Sequence, residues 1–468
     1  MSRPIDSFRN LSFRLTLPLL CSVAIIAIGC APGGSGNSSS ASGNGSSKLI
    51  FGPEAPTTPP QGKVEVVAFK GGYGIDFYQN AAKEFNQSHP GVQVSVSGNS
   101  HIWEQLQPRL VAGMPPDLMY PGWKMDQWKL AAEGQLMDLN NALKSPAYEG
   151  KESWGSTFDP KILKLGAEDG HQVMLPYFFN LQGMWFDPNV FKAHGWTPPQ
   201  TWNQLLTLCA KIKAAGIAPL TFQGKYPYYM LENMILPWVQ DIGGIQVINK
   251  IQELKKGAWE SPAVLQAITM IDTLNKDGYF LRGSVGMTHT ESQTEFLEGK
   301  AAMIPCGTWL YSEMKKTMPP GAAMQYFLPP FPTGGTGDPT AIMVSIEPWM
   351  VPTKAKNPAG AIAFFKYMTS LPKAKQFVEQ KATLMSIKGS DQVKLPATLV
   401  VPAAFYDKSK TIFSFMAMYW YPSLETDIEN NITALLNHQI TPKQFCDQTE
   451  KDSEKTAADP SITKHSLG

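Results

Sequence analysis

Residues 175–202 read LPYFFNLQGMWFDPNVFKAHGWTPPQTW, and this stretch decides the fold. It opens on an aromatic and aliphatic run, Leu175 to Leu181, with no strict polar–apolar alternation, as in a strand buried on both faces. Asp187-Pro188 turns the chain, and Gly195-Trp196-Thr197-Pro198-Pro199 carries it to Thr201. Gln204 lies three residues after Thr201, the spacing of a capping box, so a helix is predicted to start there. Trp202, Leu205, Leu206, Cys209 and Ile212 then recur at helical spacing, and Gly216 supplies the stop.

The same grammar extends upstream. Lys63 to Phe69 reads as a strand, Gly71-Gly72-Tyr73-Gly74 as a loop, and Phe77, Ala81, Ala82 and Phe85 as a helical stripe. Val92, Val94 and Val96 alternate as a second strand; Trp103, Leu106 and Leu110 mark a helix ending at Gly113; Pro115 to Tyr120 holds a third short strand. This order predicts a mostly parallel, doubly wound sheet. Ligands of such sheets gather outside the carboxyl ends of the strands, which brings Tyr73, Tyr120 and Trp123 forward as candidates.

Five segments in this order resemble the carbohydrate-binding group of ABC-importer extracellular solute-binding proteins. They are Phe85-Asn86-Gln87-Ser88-His89-Pro90-Gly91-Val92, the Leu175–Trp202 stretch, and Gly299-Lys300-Ala301-Ala302-Met303 leading to Gly307-Thr308-Trp309. The others are Ala341 to Ile346 with Asn357-Pro358 opening the next helix, and the closing helices Tyr419 to Leu436 and Thr441 onward. The resemblance spans residues 63 to 450. It implies an α/β, two-lobed, type II-like periplasmic-binding-protein fold, each lobe a mostly parallel sheet flanked by helices, with the ligand cleft between them. One lobe would take 63–177 and 335–370, the other 178–334 and 371–455, with 456–468 as a tail. Several crossings make such a junction a hinge around which lobes close. Where many members carry Gly-Gly, this chain has Ser345-Ile346-Glu347, which sets a carboxylate near the cleft.

The amino terminus bears on the compartment. Arg3, Arg9 and Arg14 precede an apolar run from Leu15 to Ile28, the pattern of a secretory signal and too short for a comfortable membrane span. Ala27-Ile28-Gly29-Cys30 resembles a lipobox, with residues 1–29 removed and Cys30 lipidated; the alternative is an ordinary signal with an incidental cysteine. Ala31 to Ser47 is nearly all Gly, Ser, Asn, Ala and Pro, so residues 30–62 are expected to form a tether reaching on the order of 30 Å. Of five cysteines, Cys209, Cys306 and Cys446 remain in the mature body, and their spacing indicates no bridge.

Composition excludes some classes. Forty basic against thirty-nine acidic side chains give a net charge of +1, without the basic field of a nucleic-acid binder. No Gly-X-Ser-X-Gly elbow, His-Glu-X-X-His or Walker loop occurs, and no metal-ligand spacing or cofactor fingerprint is present. The aromatic inventory is large: 12 Trp, 15 Tyr and 23 Phe. A pyranose offers apolar faces to flat rings and a rim of hydroxyls to planar polar groups, so candidates must combine both kinds. Trp309, Glu347 and Trp349 rank first, at strand exits matching the family; Tyr73, Tyr120 and Trp123 follow. Phe179, Asn180, Gln223, Trp238, Asp241 and Trp420 complete the set, although Trp238 can equally close a helix and Trp420 can pack within FSFMAMYWY. The expected function is a monomeric, lipid-anchored, extracytoplasmic receptor that passes a sugar or oligosaccharide to a membrane permease and needs no cofactor. The alternatives are a lipid-anchored glycoside hydrolase, which needs two carboxylates flanking one bond, and a receptor of the same fold for a non-sugar solute.

Overall fold

Thr201 begins a helix in the manner its spacing requires. In a computed structural model of the protein, which describes residues 52–56, 58, 60–122 and 125–467, Gln204 N–H donates to Thr201 Oγ1 at 3.4 Å and Thr201 N–H donates to Gln204 Oε1 at 3.2 Å. These bonds satisfy amides that a helix start leaves without internal partners. The helix Trp202–Ala214 buries Leu205, Cys209 and Ile212, and Gly216, at φ +80°, lies just past its end. The signal segment, Cys30 and the tether up to residue 51 lie outside the described residues; the tether's expected end at residue 62 needs correction, because Ala55 is buried, donates its N–H to Asp138 O at 2.8 Å, and Gly62 already belongs to the first strand.

The first sheet is parallel. Strands β1 (Gly62–Ala68), β2 (Val92–Ser97) and β3 (Leu118–Tyr120) lie in the order β2-β1-β3. The helix Asp76–Ser88 buries Phe77, Ala81, Ala82 and Phe85. A later helix, Pro358–Met368, also packs on β1. Asn357 Oδ1 caps it by accepting from Gly360 N–H at 2.9 Å, and Pro358 sits where a missing N–H costs nothing.

A small hairpin, β4 (Ala167–Glu168) and β5 (His171–Gln172), leads into β6 (Leu175–Leu181), every residue of which is buried. After Gln182-Gly183 come β7 (Met184–Phe186), then β8 (Ala218–Leu220), β9 (Ala301–Pro305) and β10 (Gln325–Phe327), ordered β10-β7-β9-β8. β11 (Ile342–Trp349), β12 (Leu384–Met385) and β13 (Ile412–Phe413) join β6 in the order β12-β6-β11-β13. Here the expectation of mostly parallel sheets needs correction. β7 is antiparallel to both its neighbours, and β6 is antiparallel to β11 and β12; only β8–β9 and β11–β13 are parallel in these two sheets. The chain leaves through β6 and returns through β11, and two passages in opposite senses pair antiparallel.

The helix Pro442–Ala458 carries a complete capping box and continues past residue 455, where the sequence suggested a tail. The tail beyond it is also packed: His465 is buried, its Nδ1 2.8 Å from Glu168 Oε1. Cys209, Cys306 and Cys446 are free and buried. Burial pushes the Cys209 thiol up to about 12, as for a small apolar core residue. Among the described residues no helix is long and apolar enough to cross a membrane.

Candidate functional site

The carboxyl ends of β1 and β3, the β11 segment and the loops after β8 and β9 converge on a cleft of about 690 Å³. Phe69, immediately after β1, packs against Trp103 at 6.2 Å and edge-on against Tyr120 at 6.1 Å, so one wall is aromatic. Tyr226, Tyr228, Tyr229, His289 and Trp309 form a second wall. Tyr229 meets the Trp309 ring at 5.7 Å and 69°, and Tyr226 meets His289 at 5.3 Å. Gly307 makes the Trp309 pose feasible, since a Cβ there would lie 1.9 Å from the indole.

Polar groups fix the floor. Tyr120 donates its hydroxyl to Glu347 Oε2 at 2.6 Å, Asn180 Nδ2 donates to Glu347 Oε1 at 3.3 Å, and Tyr73 donates to Asn180 Oδ1 at 2.6 Å. Thr308 also donates to Asn180 Oδ1 at 3.5 Å. This chain ties the loop after β1, the end of β3, β6 and β11 to one carboxylate. Loss of hydration raises Glu347 to about 7 against the opposing effect of the Tyr120 bond. Tyr73 and Tyr120 are pushed well up, first by burial, so both stay hydroxyl donors.

A second carboxyl, Glu232, lines the cleft from Leu231–Ile235, a turn of π-helix, a geometry often found at functional sites. Asn233 braces that turn, accepting from Gly183 N–H and donating to Tyr229 O, both at 2.8 Å. Gln182 Nε2 donates to Glu232 Oε2 at 3.3 Å. Burial, then the charges of Glu425, Glu429 and Glu347, raise Glu232 to about 8. Among the described residues no group of three or more His, Cys, Asp or Glu side chains could hold a metal ion.

The structure brings Tyr73, Tyr120, Trp309 and Glu347 together around this cleft, with Asn180 hydrogen-bonded beneath it. Trp123 lies outside the described residues; its neighbour Gly122 is in the cleft wall. Six other expected residues lie elsewhere. Phe179 points to the opposite side of β6 from Phe178 and packs on Tyr406 at 4.8 Å; consecutive strand residues face opposite ways, so it could not share a face with Asn180. Gln223 is buried and donates to Pro305 O at 2.8 Å. Trp238 is core, donating to Pro330 O at 3.0 Å and meeting Trp202 edge-on at 5.5 Å. Asp241 sits on the helix Leu236–Gly243, raised to about 8 by burial and by Asp338.

Trp349 is fully buried, stacked on Phe365 at 5.7 Å and beneath Tyr120 at 5.5 Å. Tyr120, whose hydroxyl holds Glu347, covers the Trp349 ring and separates it from the cleft. Trp420 stacks on His465 at 5.2 Å and 12°, while its neighbour Tyr419 takes the place in the cleft. Sequence reasoning missed Phe69, Trp103, Tyr226, Tyr228, Tyr229, Glu232 and Tyr419. The run Tyr226-Pro227-Tyr228-Tyr229 just past a strand was a signal that could have found three of them.

Residues 71–375 match the family described as bacterial extracellular solute-binding protein. The chain is similar to the diacetylchitobiose binding protein NgcE of Streptomyces coelicolor, 28% identical over 415 residues that cover 86% of each chain. It is also similar to the multiple sugar-binding protein of Streptococcus mutans, 22% identical over 372 residues, 77% of this chain and 82% of that one. Among solved structures, a chitin oligosaccharide binding protein matches with a TM-score of 0.70 at 20% identity, covering 84% of this chain and 98% of the other. RafE in complex with raffinose matches with a TM-score of 0.66 at 19% identity, over 84% and 99%. At these identities the structural likeness shows a shared two-lobed α/β fold.

Proposed function

Because the chain belongs to the family of bacterial extracellular solute-binding proteins, we propose that its cleft captures a sugar or oligosaccharide and that the loaded protein delivers it to the membrane subunits of an ABC importer. As a member of an extracellular family it works outside the cytoplasm. The observation that carries the sugar reading is the pairing of aromatic walls with a hydrogen-bonded floor in one cleft. Rings such as Trp309 and Tyr229 suit the apolar faces of a pyranose, and Glu347, Asn180 and Tyr73 suit its hydroxyls. The sugar-binding proteins among its relatives support the same solute class.

In this reading Tyr73, Tyr120, Asn180, Trp309 and Glu347 contact or position ligand. Leu175-Pro176-Tyr177 and the returning β11 serve as hinge crossings between lobes 63–177 with 335–370 and 178–334 with 371–455. The receptor acts as a monomer, tethered through lipid on Cys30 by the segment that precedes residue 52. Titration with mono- and oligosaccharides, followed by tryptophan fluorescence and a reducing-end assay, tests the function. Saturable change without new reducing ends is expected; their release would make the protein a hydrolase, and silence across the panel would reject a sugar ligand. For the tether, Cys30→Ser should abolish incorporation of labelled palmitate, and persistent labelling would refute that assignment.

A further inference from the structure

The turn that leads into β3 presents apolar side chains to solvent. Val111 is 89% exposed and Met114 59%, more than any other large apolar residue among those described. Their backbone is firmly held: Ala112 N–H donates to Pro108 O at 2.9 Å, Gly113 N–H to Leu110 O at 3.0 Å and Met114 N–H to Arg109 O at 2.8 Å, while Arg109 Nε donates to Met114 O at 3.0 Å. The Arg109 guanidinium is fixed in turn by two bonds to the Glu65 carboxylate, at 2.9 and 2.7 Å. Single exposed apolar side chains are ordinary on a protein surface. Two that are held outward in one braced turn form a presented surface.

This turn lies beside the point where the amino-terminal segment joins the fold. Gly52, the first described residue, packs so closely there that a Cβ on it would meet Leu136 O at 2.1 Å and Thr353 Cγ2 at 2.5 Å. The next residue, the exposed Lys354, reaches the apolar turn: a Cβ on Gly113 would lie 3.2 Å from Lys354 Nζ. Consecutive residues thus touch the entry of the chain and the Val111–Met114 turn. Residues 31–51 separate Gly52 from Cys30, and the ends of a Gly- and Ser-rich chain of that length lie on the order of 25 Å apart. A membrane that holds lipid on Cys30 is therefore within reach of this turn, at an effective concentration on the order of millimolar, so a contact too weak to bind a free protein becomes populated. The chemistry matches a lipid surface, with an apolar boundary for Val111 and Met114 and anionic headgroups for Lys354.

We infer that the Val111–Met114 turn, with Lys354, is a second membrane contact that rests the amino edge of the first sheet on the lipid surface. The inference rests on the lipid-anchor reading above and adds an orientation to it. β1 and β3 are parallel and their carboxyl ends carry the cleft, whereas this turn precedes the amino end of β3. A receptor resting on this edge turns its cleft away from the membrane, toward arriving solute, and leaves the contact to deliver its load.

Oxidative footprinting of Met114 tests it. Cys209, Cys306 and Cys446 are buried, so protein beginning at Cys30 can be coupled through that thiol to a maleimide lipid in vesicles of phosphatidylcholine and phosphatidylglycerol, or to a soluble maleimide polymer as reference. Brief peroxide treatment and peptide mass spectrometry then compare Met114 with the half-buried Met318, which lies outside the turn. On vesicles Met114 oxidation should slow by at least about threefold, as a contact populated by tethering requires, while Met318 is unchanged. Val111→Ser combined with Lys354→Glu should return Met114 to its rate on the polymer, with an unaltered Met318 rate showing that the fold is intact. Equal Met114 rates on vesicles and polymer, or protection that the double variant retains, overturns the contact. Protection that appears only as the density of coupled protein rises comes from a second copy of the chain and overturns it too. Palmitate labelling at Cys30 judges the anchor separately: footprinting that fails where labelling succeeds rejects the contact alone, and labelling that fails removes the premise.

Discussion

The Tyr120 hydroxyl sits 2.6 Å from Glu347 Oε2 and donates to it, joining the end of β3 to β11 beneath the cleft. Removing the carboxylate strands two donors, Tyr120 Oη and Asn180 Nδ2. Glu347→Ala should therefore cost about 1–3 kcal/mol of stability and weaken ligand binding. Chemical denaturation of the variant checks the first effect and calorimetry the second.

Two carboxyls, Glu232 buried and Glu347 half-buried, give stability a definite pH slope. Glu347 and Glu232 are raised to about 7 and about 8, chiefly by burial, from an ordinary glutamate value of about 4.3. The folded state then binds more protons than the unfolded chain between these values. Stability from this source is complete below about 4.3 and lost as pH rises through about 7 and then about 8. Thermal unfolding midpoints should fall across that window. Glu232→Gln, which keeps an amide contact to Gln182, should flatten the upper part; an unchanged slope would remove Glu232 from the account.

The Trp309 ring is only partly buried and faces the cleft. Trp309→Ala should weaken sugar binding by up to about tenfold, the scale of one aromatic contact, with little change in melting temperature. Gly307→Ala should reproduce much of that loss by displacing the indole, because its Cβ would meet the ring at 1.9 Å. A large drop in melting temperature for Trp309→Ala would mean that the ring is core.

Trp238 supplies the opposite control. It is fully buried and spends its N–H on Pro330 O. Trp238→Ala should cost about 3–5 kcal/mol of folding stability while the folded fraction keeps its ligand affinity. Denaturation and titration of the same preparation separate these effects.

What the sequence disclosed was governed by local rules. The Thr201 capping box, the Asn357-Pro358 start and the helical stripe of Phe77 to Phe85 all follow from residues within a few positions of one another. Tyr73 and Tyr120 were accessible from their place at strand ends, and Trp309 and Glu347 from strand exits together with family position; all four line the cleft. Errors entered where facing is decided at long range. Tyr120 and Phe365 sandwich Trp349, and His465, 45 residues downstream of Trp420, stacks on that second ring.

Gly72 belongs to the loop after β1, and a Cβ there would meet Glu313 Cβ at 3.2 Å and Glu313 Cα at 3.3 Å. Glu313 belongs to the short helix Leu310–Met314 that follows Trp309, so the cleft's two rims touch through a residue with no side chain. The gap acts as a latch clearance. One added methyl would prop the rims ajar by a few tenths of an ångström. Under the proposed receptor reading, Gly72→Ala is expected to shorten the solute's residence while every group that holds it is unaltered, and stopped-flow release measures this; an unchanged release rate would show that the rims do not meet in the loaded state.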